Sequence, residues 1–325
     1  MGVLFWHDSP NDEAALDGIR AAFAETKHPH ELIVRNADSD PAEAVRILDE
    51  FLGEAETGDG DESHAASDSA AKPVDLVFAM GTRAALLAAE RIDEIPVVFT
   101  AVTNPVQSRV VPSWKGSGRN LAGNSNWIDS ETLLRVFGQA VPGLGRIGIL
   151  RSSVSGEVSA AELKSMKEFL AKKGAPSMEI VEKVVAAPSE IESAVAALGA
   201  SKVQAIWIPI DFLIYSNMKE VLAAIEPNPI PLVSSSLKAT RAGAVAGVVV
   251  DYTLLGKRAV VIALDILEGR KKPGAIPIGT MNAHKIVVNL AAARRCRYEL
   301  PLSFLVSADS ILDRVALPEG KDVKK

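Results

Sequence analysis

The sequence predicts an α/β protein built from two lobes of related topology, each a parallel sheet with helices on both faces. Three observations predict it. Short apolar runs alternate with amphipathic stretches of helical period along the chain, the pattern of parallel βαβ units. The segment DLVFAMGTRAALLAAERIDEIPVVFTAVTNP from Asp75 shares its layout with QAIWIPIDFLIYSNMKEVLAAIEPNPIPLVSSSLK from Gln204: apolar strand, short turn, helix, Ile-Pro, apolar strand, polar strand end. The chain has 325 residues, enough for two domains of about 150 residues each.

The elements follow in order. Val3–Trp6 is an apolar strand; Ser9, Pro10 and Asn11 then start a helix over about Asp12–Glu25, with Ala15, Leu16, Ile19 and Phe23 on one face. Glu31–Arg35 is a second strand, Pro41–Leu52 a helix, Asp75–Met80 a third strand, Arg83–Arg91 a helix and Pro96–Ala101 a fourth strand, stopped at Pro105. The second half repeats the alternation: helix Ser130–Gln139, strand Arg146–Leu150, helix Ser159–Lys173, strand Glu179–Val185 and helix Ser189–Leu198. Strand Ala205–Pro209, helix Phe212–Ile225, strands Leu232–Ser234 and Ala246–Val250, and a long helix Tyr252–Leu267 closed by Gly269 complete the reading.

Composition excludes several function classes. The net charge is −6, yet six acidic residues against Lys72 alone fall between Gly53 and Pro73, leaving the rest of the chain near neutral. That segment reads as a solvated surface insertion, since it has no apolar anchors. No basic footprint for nucleic acid and no polybasic patch for anionic lipid is present. With Cys296 alone and five scattered His, neither an intramolecular disulfide nor a metal centre is expected. Gly143, Gly145 and Gly148 match G-x-G-x-x-G but lead into a strand instead of opening a helix, so no dinucleotide site is expected. Catalytic signatures such as G-x-S-x-G or H-E-x-x-H are absent, and no cofactor is expected.

Polar residues at carboxyl ends of strands remain as candidates, because ligands of open parallel sheets bind outside those ends. Gly81 and Thr82 stand just before a helix, where a close backbone approach and a hydroxyl suit a carboxylate; the same residues also suit a cap and tight turn. Thr103 and Asn104 end the next strand. Asp211 ends the corresponding strand of the second half, with Phe212 and Tyr215 beside it; Ser235 follows the next strand, and Asp251 follows Val248–Val250. Either Asp could cap the helix after it or pair with the ammonium of a zwitterion. Trp6, Trp127 and Phe212 lie near strand ends and could wall a pocket, whereas Trp207, inside a strand, reads as core.

These residues carry a resemblance. GRNLAGNS at Gly118–Ser125, the Asn-Pro after Thr103, the Asp-Tyr before the long helix, FAMGTRAA at Phe78–Ala85, RIGILRSS at Arg146–Ser153 and VVNLAAARRCRYELP at Val287–Pro301 resemble the substrate-binding proteins of ABC transporters, from about Val3 to Val315. The resemblance implies a type I periplasmic binding protein fold: two Rossmann-like lobes joined by three crossovers near Gly123, Asp251 and Gly279, closing by hinge motion on a ligand held in the cleft between them. Lobe 1 would comprise 1–123 and 252–278, and lobe 2 124–251 and 279–325. The implied ligand is an amino acid, aromatic or apolar. Its carboxylate would be held by Gly81, Thr82, Thr103 and Asn104, and its amino group and remainder by Asp211, Ser235 and Asp251. The implied partner is an ABC permease, and the implied protein is a monomer outside the cytoplasmic membrane, with the family's export segment expected upstream of Met1. A ligand-sensing module of the same fold, or an enzyme with a cleft active site, is the alternative.

Overall fold

A computed structural model describes residues 1–26, 28–54, 72–154, 157–172, 174, 177–280 and 284–317. Most of the acidic insertion expected at 53–73 lies outside the described residues. The chain divides into two compact units, Met1–Trp127 with Asp251–Ala283, and Ile128–Val250 with His284–Lys325.

The chain opens with β1 (Gly2–Phe5), α1 (Pro10–Ala24), β2 (Ile33–Asn36), α2 (Pro41–Leu52), β3 (Val77–Met80), α3 (Gly81–Arg91), β4 (Val97–Val102) and β5 (Leu121–Ser125). It continues through α4 (Ser130–Ala140), β6 (Arg146–Ser152), α5 (Glu157–Leu170), β7 (Glu179–Val185), α6 (Ile191–Ala200), β8 (Ala205–Ile208), α7 (Phe212–Ser216), α8 (Met218–Ile225), β9 (Leu232–Ser234), α9 (Leu237–Ala242) and β10 (Ala246–Val250). Next, α10 (Tyr252–Leu267) and β11 (Gly279–Thr280) return to the first unit. The second unit then closes with β12 (His284–Asn289), α11 (Leu290–Arg295), α12 (Leu302–Val306) and β13 (Ser310–Leu312).

The first unit holds a sheet in the order β11-β5-β4-β3-β1-β2, parallel throughout. The central strands β1 and β3 are apolar on both faces, so their successive residues divide between two cores. Val3, Phe5, Phe78, Met80 and Val98 pack with α1 and α10, while Leu4, Val77, Ala79, Val97 and Phe99 pack with α2 and α3. The contact of α1 with α10 depends on two glycines. A Cβ on Gly18 would lie 1.9 Å from the Thr253 carbonyl oxygen, and one on Gly256 1.8 Å from that of Ala15, so the two backbones touch where any side chain would part them. This close crossing sets the middle of α1, Ala15–Ile19, against the first turns of α10, Thr253–Lys257.

The second unit holds a sheet in the order β13-β12-β10-β9-β8-β6-β7. Ile147, Ile149, Trp207, Val233 and Val248 form one core with α4, α5 and α11; Leu150, Ile206, Ile208 and Leu232 form the other with α6, α8 and α9. The strand orders β2-β1-β3-β4-β5 and β7-β6-β8-β9-β10 are equivalent, which is the related topology read in the sequence.

Several expectations are corrected. The second sheet is not wholly parallel: β12 runs antiparallel to β10, with Val250 opposite His284 and Ala246 opposite Val288. The sheet needs buried Ile286 and Val288 on one face of that strand, and either direction supplies them. The boundaries expected at 123, 251 and 278 differ from the observed ones. Strand β5 stays in the first sheet to Ser125, with Asn124 Nδ2 donating to the Leu255 carbonyl oxygen at 3.0 Å, and Gly279 pairs with Asn124 in register. The single helix expected at Phe212–Ile225 is two, broken at Asn217, whose side chain donates to the Leu213 carbonyl oxygen at 2.7 Å. Asn competes with helix continuation in this way.

Candidate functional site

In a 2-1-3-4-5 strand order the switch point lies between the first and third strands, here β1/β3 in the first unit and β6/β8 in the second. At the first, Trp6 follows β1 and is half-buried, with the Arg83 guanidinium over its ring at 5.5 Å. Gly81 opens α3 at φ +82, in the left-handed region that favours glycine, and Thr82 follows half-buried. No side chain among the described residues caps helix α3, and an uncapped helix start suits an anion. Ser9 Oγ caps α1 by accepting from the Asp12 amide. Asp12, 8% exposed, lies beside Gly81; burial pushes its carboxyl up to about 6, opposed by nearby His7 and by Ser9.

The next strand ends complete this edge. An extra residue in β4 against β5, with Ala101 at φ +60, forms a bulge that re-aims the strand end toward Thr103. The Thr103 carbonyl oxygen accepts from Ser125 Oγ at 2.7 Å, and Asn104 Oδ1 accepts from the Gln107 amide at 3.0 Å, which commits that side chain to the turn it starts. Trp127 is buried, its amide donating to Ser125 Oγ at 3.0 Å. Asn126 donates from Nδ2 to the Tyr252 hydroxyl at 2.9 Å, and its own buried Oδ1 has no hydrogen-bond partner among the described residues. Asp251, expected from the sequence in the second unit, belongs to the first; its Oδ1 accepts from the Leu254 amide at 3.1 Å and caps α10.

At the second switch point Asp211 is fully buried. It accepts from the Ser152 amide at 2.7 Å, from Ser152 Oγ at 2.9 Å, from Ser159 Oγ at 3.1 Å and from the Ile214 amide at 3.3 Å. It thereby joins the end of β6 to α5 and α7 and caps the latter, the capping role that the sequence offered beside the ligand-facing one. Phe212, next to it, is 72% exposed, a large aromatic surface left at the carboxyl edge. Ser235 is buried after β9, beside Glu162 of α5. Glu162 Oε2 accepts from the Ile210 amide at 2.8 Å, and burial pushes its carboxyl up to about 7, opposed by Ser235 and that amide. Ser235 favours the ionised form of Glu162, and Ser236 that of Tyr215, although among the described residues neither the Ser235 nor the Tyr215 hydroxyl has a partner at hydrogen-bonding geometry. Burial and the Glu162 charge raise the Tyr215 phenol well above its ordinary value.

The structure thus gathers Trp6, Gly81 and Thr82 at one switch point, places Thr103, Asn104, Trp127 and Asp251 in the same unit, and puts Asp211, Phe212 and Ser235 in the other. Sequence reasoning missed Asp12, Asn126 and Glu162. Glu162 carried a signal: Ser159, Glu162, Leu163 and Met166 lie at i, i+3, i+4 and i+7, so two polar residues share the buried face of α5. No group of three metal-ligating side chains occurs among the described residues, and none of their helices is long and apolar enough to cross a membrane.

Two equivalent open sheets with polar residues at their strand ends suit ligands bound outside the carboxyl ends. Residues 3–312 match the family described as ABC transporter substrate binding protein, and the chain belongs to that family of solute-binding proteins, which are not enzymes. A tyrosine-binding protein of Clostridioides difficile (strain R20291) is 32% identical over 215 residues, which is 66% of this chain and 61% of that protein. A ligand-free, open substrate-binding protein with adhesive properties from Clostridium difficile superposes with TM-score 0.80 at 22% identity, covering 96% of this chain and 98% of that one; at this identity the likeness concerns the fold. The ABC domain from Streptococcus pneumonia in complex with L-Trp has TM-score 0.66 at 25% identity, covering 96% and 98%.

Proposed function

We propose that this protein is the extracytoplasmic binding component of an ABC importer, acting as a monomer that captures an amino acid with an aromatic or apolar side chain and presents it to a permease. The observation that carries the reading is the α3 N-terminus at the β1/β3 switch point. There uncapped backbone N–H groups, the Thr82 hydroxyl and the Arg83 charge gather beside the Trp6 ring. Such a group suits a carboxylate whose carrier has an apolar or aromatic body. Thr103 at the neighbouring strand end is a further candidate for the same carboxylate. A relative named for tyrosine binding and a structure holding L-Trp support the ligand class.

A thermal-shift panel of the twenty amino acids tests this. A ligand at 100 times its Kd stabilises the folded state by about 2.7 kcal/mol. Aromatic and large apolar amino acids are expected to raise the melting temperature by several degrees, and acidic or basic ones to leave it unchanged. A panel in which no amino acid shifts the transition would overturn the reading.

A further inference from the structure

We propose that Asp12 makes the carboxylate site of the first unit proton-linked: the site takes the ligand's carboxylate while the Asp12 carboxyl is protonated and repels it once that carboxyl is ionised. The inference rests on the amino-acid reading above and adds a regulation to it, with every group inside one unit. Asp12 stands in the first turn of α1 and is 8% exposed. Gly81, which opens α3, leaves a space where a side chain would start, and Asp12 faces that space. A Cβ there would lie 3.7 Å from Asp12 Oδ2, with no other atom within 4 Å among the described residues apart from its chain neighbours. A buried carboxyl group thus borders the helix start whose N–H groups would receive the ligand's carboxylate.

Two ionised carboxylates held side by side out of water repel strongly. Protonated, Asp12 is neutral and has an O–H to donate, and an O–H on a carboxylate is among the stronger hydrogen bonds. Burial raises the Asp12 carboxyl to about 6, against the opposing effects of His7 and Ser9, so the choice between the two forms falls near neutral pH. The ligand's negative charge would raise it further. Binding then takes up a proton from solvent, and affinity rises as pH falls.

The other titratable or charged groups on the neighbouring elements are His7 and Asp8 before α1, Glu13 on α1 itself, Arg83 on α3, and Asp251 and Tyr252 at the start of α10. Asp8 accepts from Asn36 at 2.7 Å, Arg83 lies over the Trp6 ring, and Asp251 caps α10. The Tyr252 hydroxyl accepts from Asn126, and burial raises its phenol above the ordinary value, so it stays neutral. His7 differs, because an imidazole gains positive charge as pH falls and would favour an anion in the same direction.

The test is calorimetric titration of the whole chain with L-tryptophan between pH 5.5 and 7.5, in buffers of different ionisation enthalpy; the ligand's own charges do not change over that range. The unmodified protein is expected to bind about tenfold more tightly at pH 5.5 than at pH 7.5 and to take up part of a proton on binding, as a rise of one to two pKa units in the complex gives. Asp12→Asn, neutral throughout, should bind with an affinity that changes by less than about twofold over the range and without proton uptake. His7→Gln should keep the dependence of the parent. Should Asp12→Asn not fold, as judged by circular dichroism, His7→Gln decides: a dependence retained there supports the assignment to Asp12, and one lost there moves it to His7 and overturns the proposal. An unmodified protein whose affinity is flat, or rises with pH, overturns the linkage while leaving the amino-acid reading intact, and so does a dependence that persists in Asp12→Asn. An unmodified protein that binds no amino acid at any pH overturns both.

Discussion

Replacing Glu162 by Gln should abolish a pH dependence of stability that the wild-type fold carries. Burial of Glu162 raises its carboxyl from 4.5 to about 7, so the folded state holds a proton that the unfolded chain has released between those values. Stability therefore falls as pH rises through this window: the contribution is complete below 4.5, is lost as pH passes 7, and changes no further above that. At about 1.4 kcal/mol per pH unit the interval corresponds to about 3 kcal/mol. Glutamine keeps an oxygen for the Ile210 amide without the charge. The variant should match the parent near pH 4.5 and exceed it by up to about 3 kcal/mol at pH 8. Urea unfolding from pH 4.5 to 8.5, followed without ligand, measures both curves. Parallel curves for parent and variant would refute the argument, because they would mean that Glu162 titrates alike in the folded and unfolded chains.

Three other outcomes follow from the same geometry. Gly256→Ala places a methyl where the Ala15 carbonyl oxygen lies 1.8 Å away; it should destabilise the protein by about 1–3 kcal/mol in a denaturant titration, beyond the gain in helix propensity of up to about 1 kcal/mol. Asp251→Ala removes the cap of α10 and should cost about 1 kcal/mol of stability, and titration calorimetry should find the preference for an amino acid over its des-amino analogue unchanged. Phe212→Ala, at a residue 72% exposed, should leave the melting temperature within about a degree of the parent in a thermal unfolding scan.

The parallel strands were legible because both their faces are buried. VFAM at Val77–Met80 and AIWI at Ala205–Ile208 are apolar at every position, and the amphipathic stretches between such runs imply the crossovers. Strand β5 was not legible as a strand, since LAGNS ends in Asn124 and Ser125; these are buried because Thr100 and the Leu255 and Thr103 carbonyls, distant in sequence, satisfy them. The candidate site divides along the same line. Gly81 and Thr82 could be found because a strand end and a helix start are local features. Asp211 could be read as the cap of the next helix, but its contacts with Ser152 and Ser159, more than fifty positions away, could not. Glu162 lay in a helix whose other residues read as ordinary amphipathic surface and core, and only the fold brings Ser235 and Tyr215 to it.

The central claim is that the first unit recognises the carboxylate of an amino acid at the α3 N-terminus. Calorimetric titration with L-tryptophan and with its methyl ester tests it most directly, since the ester keeps the ring and the ammonium but removes the charge that the helix end would hold. One-to-one binding of L-tryptophan, with the ester weaker by about tenfold or more, is the predicted result. Equal affinity for the two, or binding of neither, would contradict the account.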